Sequence, residues 1–127
     1  MEILAVAFGG SFGAVARYLT TDLVRQLLGG GFPWGTMVVN LLGSFAIGFV
    51  LVWFQSIAPS SPLRNLLAIG FLGSFTTFST FSYETVALAR SGDMWRAGGY
   101  ATGSLMLGIV AVVAGVALAT AMTQARS

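Results

Sequence analysis

The side chains able to do chemistry are few: six Arg, four carboxylates (Glu2, Asp22, Glu84 and Asp93), and no His, Cys or Lys. Imidazole acid/base catalysis, thiolate chemistry, disulfides and zinc sites are excluded together. The four carboxylates are the only proton handlers left. A nucleotide-phosphate loop needs a Lys after its glycines, and this chain has none, so no ATP-driven step is predicted. The arginines stand apart at Arg17, Arg25, Arg64, Arg90, Arg96 and Arg126, which gives no basic patch and excludes a nucleic-acid partner. The interesting polar groups are those in apolar surroundings: Arg17, Asn40, and a run of hydroxyls between Gly70 and Glu84.

Arg17 follows Ile3 by 14 residues, and at helical rise this places it about 21 Å into a hydrocarbon layer of about 30 Å. An Arg near the middle costs about 2.5–3.5 kcal/mol on insertion scales. It calls either for a place near an anion's path or for a stretch to the interface beside Asp22 and Arg25. Asn40 lies in Val38-Val39-Asn40-Leu41-Leu42-Gly43, where an amide with two donors and an acceptor must face another helix or a watery cavity. Interhelical adhesion and lining a permeation path both fit.

The segment Gly70-Phe71-Leu72-Gly73-Ser74-Phe75-Thr76-Thr77-Phe78-Ser79-Thr80-Phe81-Ser82-Tyr83-Glu84 carries six Ser/Thr hydroxyls and two glycines. In helical phase Phe75, Phe78 and Phe81 share one side while Thr77, Thr80 and Glu84 share the other. Such a density of hydroxyls beside Gly73 predicts a membrane helix broken in mid-span, its freed backbone groups satisfied by hydroxyls and neighbours. Freed carbonyls in such a break are suited to a hard cation. The phenyl stripe reads either as packing or, because ring edges are electropositive, as a surface that tolerates an anion.

These groups need elements to hold them. The chain has 127 residues, 56% hydrophobic and only 8% charged, with mean hydropathy +0.86; a soluble domain carries about 25% charged residues. Its solvent is a bilayer. A span takes about 20 mostly apolar residues, and four fit: Ile3 to about Leu28, Thr36 to Phe54, Leu66 to Ala89, and Ala97 to Met122. The breaks are turn chemistry, Gly29-Gly30-Gly31-Phe32-Pro33, Ala58-Pro59-Ser60-Ser61-Pro62 and Arg90-Ser91-Gly92-Asp93. The reading is a single four-helix membrane domain over residues 1–127, with no soluble domain. Glu2 stands where a secretory leader would be positive, so Met1 onward reads as mature protein. Small residues recur four apart at Gly9/Gly13, Ser44/Gly48, Gly99/Gly103, Ser104/Gly108 and Ala111/Gly115, which predicts close helix packing.

An even number of spans places both termini on one side. That side and the second loop carry Arg64 and Arg126; the other carries Arg25, Arg90 and Arg96. Orientation follows an excess of Lys/Arg in cytoplasmic loops, and two against three is almost no bias. Insertion in both orientations is expected, and with it an antiparallel homodimer, because four helices alone leave little room for a polar path.

Three motifs, in order, resemble the Fluc (CrcB) fluoride channels across essentially the whole chain: Gly9-Gly10-Ser11-Phe12-Gly13-Ala14-Val15-Ala16-Arg17-Tyr18, Gly35-Thr36-Met37-Val38-Val39-Asn40-Leu41-Leu42-Gly43, and Gly73-Ser74-Phe75-Thr76-Thr77-Phe78-Ser79-Thr80-Phe81-Ser82. The resemblance implies a dual-topology homodimer in the plasma membrane, the inner membrane of a Gram-negative cell, with two antiparallel pores that let fluoride leave the cytoplasm passively and relieve its toxicity. It implies pore roles for Phe78, Phe81 and Asn40, with the hydroxyls of Ser79 and Thr80, and a polar track begun by Tyr100 and Ser104. Where some members continue that track with another hydroxyl, this chain has Gly108. Arg17 and Glu84 match vestibule residues. Gly73 and Thr76 match the pair whose backbone carbonyls hold a structural sodium ion at the dimer centre.

The rival from another class is a small dual-topology multidrug/proton antiporter, which needs a membrane-embedded carboxylate in its first span. Here that span offers Asp22 near its end and Arg17 deeper, an order that repels cationic drugs. Neither reading is an enzyme.

Overall fold

The computed structural model describes residues 1–127 and is helical throughout, without strands. Helix α1 is Glu2–Leu28 and α2 is Trp34–Ile57. The third apolar stretch is composite: a turn α3 (Pro62–Arg64), a π-helical segment Asn65–Leu72, a turn α4 (Gly73–Phe75), and α5 (Phe78–Arg90). Helix α6 is Met94–Gln124. Four stretches are long and apolar enough to cross a membrane: Glu2–Leu28, Trp34–Ile57, Pro62–Arg90 and Met94–Gln124.

The spans are longer than apolarity alone indicates, because polar caps and prolines are drawn into the helix ends. Ser61 Oγ accepts the Leu63 N–H at 3.1 Å with Pro62 in the first turn, where its missing N–H costs nothing. Asp93 Oδ1 accepts the Arg96 N–H at 3.1 Å at the start of α6. Upstream, α5 ends in a Schellman turn: Gly92 has φ 89, its N–H reaches Ala89 O at 3.1 Å, and Asp93 N–H reaches Leu88 O at 3.2 Å.

Two glycine-mediated seams hold the bundle. Helix α2 packs chiefly on α6, and α1 on the π-helical segment. A Cβ on Gly48 would fall 2.4 Å from Val112 O and one on Gly115 2.1 Å from Phe45 O, so the α2/α6 backbones touch. On the other seam, a Cβ on Gly9 would meet Leu66 O and one on Gly13 would meet Phe71 O, each at 2.1 Å. These carbonyls lie five residues apart, the hydrogen-bond step of a π-helix, against glycines four apart, the hydrogen-bond step of an α-helix. Helix widening thus brings two carbonyls into line with two glycines. Not every predicted small pair is used: Gly99 has open space around it, and Gly103 meets only the tip of Met37 at 3.7 Å.

Only 16 of 127 residues are buried, while large apolar side chains such as Phe8, Phe12, Leu105 and Val110 are exposed along the helices. Water does not tolerate such a surface; lipid or another protein does.

Candidate functional site

Polar groups converge at the junction of α4 and α5, because two residues there leave the helical ladder. Thr76 (φ −80, ψ 156) and Thr77 (φ −149, ψ 119) are extended. Of the stretch from Gly73 to Thr76, where hydroxyls beside a glycine predict unwinding, Gly73 is helical at φ −62, ψ −31 and Thr76 is extended. The departure falls where another helix supplies a substitute partner. Asn40 on α2 accepts the Thr77 N–H on Oδ1 at 2.8 Å and donates from Nδ2 to Thr77 O at 3.0 Å. Both backbone polar groups of one residue are satisfied by one amide, and a second Asn40 N–H remains.

Helix α5 then restarts on its own cap. Thr77 Oγ1 accepts the Thr80 N–H at 3.2 Å and donates to Thr80 Oγ1 at 3.1 Å. Thr76 Oγ1 turns back to Leu72 O at 3.0 Å. The interruption also splits the predicted phenyl stripe. Phe75 is buried and stacked on Phe71 at 5.9 Å, whereas Phe78 pairs with Phe81 at 5.9 Å and is 80% exposed in the single chain.

Two cavities meet at this junction. The larger, about 770 Å³, is lined by Arg17, Tyr18, Asp22, Thr36, Thr80 and Glu84 among others. The smaller, about 450 Å³, is lined by Asn40, Ser44, Gly73, Thr76, Phe78, Phe81, Ser104 and Gly108. Thr77 lines both. The face predicted for Thr77, Thr80 and Glu84 therefore opens on one cavity, and Asn40 with the two phenylalanines on the other.

Around the larger cavity the charges are unequal in their freedom. Asp22 is held by Arg25 at 2.6 Å and Gln26 at 2.8 Å, leaving Arg17 without a carboxylate partner. Glu84 accepts from Thr36 Oγ1 at 2.8 Å and from Tyr100 Oη at 2.7 Å. Tyr100 is fully buried, its ring 5.1 Å from Phe81 and edge-on to Phe32 at 5.4 Å. It lies behind Phe81 and lines neither cavity. Ser79 also lines neither; it is exposed, its Oγ 3.5 Å from Thr77 Oγ1. Ser104 Oγ is sealed from solvent with no hydrogen-bond partner.

Sequence reasoning missed Thr36 and the double role of Thr77. The signal for Thr77 was its helical phase with Thr80 and Glu84; for Thr36 there was none, since its partner lies 48 residues away.

The carbonyls of Gly73 and Thr76 accept no hydrogen bond from loop or cap donors, and both residues line the smaller cavity. No cluster of three acidic, His or Cys side chains exists. A divalent ion normally takes carboxylates; free neutral carbonyls fit a small monovalent cation.

Comparison with known proteins is uniform. The family model described as CrcB-like protein, Camphor Resistance (CrcB), matches residues 4–116. A protein of Dehalococcoides mccartyi named fluoride-specific ion channel FluC is 44% identical over 124 residues, covering 97% of this chain and 95% of its own length. One of the same name from Thermus thermophilus is 48% identical over 119 residues, covering 94% and 95%. Another from Opitutus terrae is 47% identical over 116 residues, covering 86% and 85%.

Proposed function

The chain belongs to the CrcB family, and from that premise we propose that it is a fluoride-selective channel, a multi-pass membrane protein that exports fluoride passively and has no catalytic step. One observation carries the reading: two cavities abut at Thr77, whose peptide is held open by Asn40.

The pathway starts at the larger cavity, where uncompensated Arg17 raises the local concentration of anions. It passes the hydroxyls of Thr77 and Thr80 and enters the smaller cavity. There the spare Asn40 N–H, the edges of Phe78 and Phe81, and the Ser104 hydroxyl replace the water that fluoride sheds. Tyr100 and Glu84 act from behind, fixing the Phe81 ring and the wall at Thr36. Ser79 belongs to the far side of the junction, facing a second copy.

The functional unit is an antiparallel homodimer of chains inserted in both orientations, with the α4/α5 break at mid-membrane. The near-even Arg tally supports this, as does Phe78, a ring too exposed in one chain to wall a pore alone. Gly73 and Thr76 carbonyls from both copies would hold one sodium ion, whose service is to neutralise the converging carbonyl dipoles. The antiporter reading loses its carboxylate, because Asp22 is engaged at the end of α1 by Arg25 and Gln26.

The test is reconstitution. Liposomes loaded with potassium fluoride and carrying purified protein should release fluoride on adding a potassium ionophore, with no pH gradient, while chloride-loaded liposomes should not release chloride. Efflux that requires a pH gradient, or no efflux, overturns the reading.

A further inference from the structure

The smaller cavity is lined by one polar side chain, Ser44, that neither the motif resemblance nor the junction explains. Ser44 lies one helical turn after Asn40 on α2, and Gly108 one turn after Ser104 on α6. All four residues line this cavity. Serine in a helix commonly returns its hydroxyl to a carbonyl of the preceding turn. Ser11, Ser82 and Ser91 do so here, and Ser44 does not. Its oxygen instead faces Gly108: a Cβ built there would lie 3.7 Å from Ser44 Oγ, in ordinary contact. The place a side chain at 108 would occupy is thus bordered by the α2 hydroxyl. Ser104 Oγ, one turn away, is likewise unpartnered. The Ser104 hydroxyl is sealed from solvent, and an orphaned buried hydroxyl is costly unless something accepts from it; the half-buried Ser44 lines the cavity with its hydroxyl free.

We propose that Ser44 is a fluoride-coordinating residue of this channel, its hydroxyl standing in from α2 for the one that Gly108 lacks on α6. The inference rests on the channel reading above. An ion leaving Asn40 and Ser104 has lost most of its water and needs another donor within a turn. Gly108 can give none from its side chain, and Ser44 Oγ is the unengaged hydroxyl bordering that space.

The test uses full-length protein in fluoride-loaded liposomes. Ser44→Ala removes one hydrogen bond to a charged ion and should lower the fluoride efflux rate on the order of tenfold or more. Ser44→Ala combined with Gly108→Ser returns a hydroxyl to the same space from the other helix and should recover most of the loss. If Ser44→Ala is not recovered folded, Ser44→Cys, which keeps the shape but offers a weak donor, carries the same expectation. Unchanged efflux in the single variant overturns the proposal. So does a loss that Gly108→Ser leaves unrepaired, since a purely structural hydroxyl would not be replaceable across the cavity. Absence of efflux from the native protein is a different failure, that of the channel reading itself.

Discussion

Asn40 and Thr77, 37 residues apart in the chain, are joined by two hydrogen bonds that together replace the helical partners of a single residue's N–H and C=O. A side-chain amide can do this because it carries a donor and an acceptor at the spacing of a peptide's own; a carboxylate cannot.

Asn40→Asp should therefore fail twice. It keeps the bond from the Thr77 N–H but sets a negative oxygen against Thr77 O, orphaning an acceptor at about 1–3 kcal/mol, and it places a charge of the same sign in the anion's way. Fluoride efflux should fall to background while the protein still elutes as an assembled species. Near-native rates would move the pathway elsewhere.

Phe78→Ile and Phe81→Ile retain apolar bulk and remove the polarised ring edge. Each should reduce efflux at least about tenfold, equivalent to about 1.4 kcal/mol at the barrier. Phe75→Ile, at the ring stacked on Phe71, should leave the rate nearly unchanged. Equal effects at all three positions would mean that the rings pack and do nothing more.

Insertion in both orientations is checked by one engineered Cys after Arg126 in a chain with no native thiol. An impermeant label on intact cells should reach about half of the population, as the nearly even Arg distribution requires. Labelling from one face only would remove the antiparallel dimer.

Replacing sodium on both sides with a large organic cation should depress efflux if the Gly73 and Thr76 carbonyls hold an ion. Thr76→Ser keeps the carbonyl and a hydroxyl and should retain most activity. A Cβ at Gly73 would meet nothing closer than Ala68 O at 3.8 Å, so Gly73→Ala should leave helix content unchanged by circular dichroism. Undiminished efflux without sodium would sink the assignment.

Gly48→Val should prevent recovery of folded protein. Its Cβ would enter within 2.4 Å of Val112 O on the α2/α6 seam, and overpacking of this kind costs about 1–3 kcal/mol or more. Gly99→Val, in open space within the chain, is the control.

The spans were legible in the sequence because apolar length is a local property. The hydroxyls gathered between Gly70 and Glu84 have no reason to sit in lipid and single out that stretch, but they do not say which residue leaves the helical ladder. Gly73 marks where a helix can yield, whereas Asn40 decides where it does, and that choice is made between helices far apart in sequence. The same holds for Glu84, whose partners Thr36 and Tyr100 come from two other helices. The π-helical Asn65–Leu72 left no mark of its own: its residues, NLLAIGFL, read as ordinary apolar helix. Its cause is outside it, in the two α1 glycines that admit Leu66 and Phe71 carbonyls.

That widened turn means the stretch from Pro62 to Thr77 carries slack. A π-helix fits more residues into each turn than an α-helix, so losing a single residue there would let the segment relax to the tighter form and absorb the loss, leaving Thr77 on nearly its old bearing toward Asn40. The cost would fall on the seam with α1, where Leu66 and Phe71 carbonyls would no longer be spaced to meet Gly9 and Gly13. The same deletion inside α5, which has no wide turn to give up, would swing everything after it by about 100°.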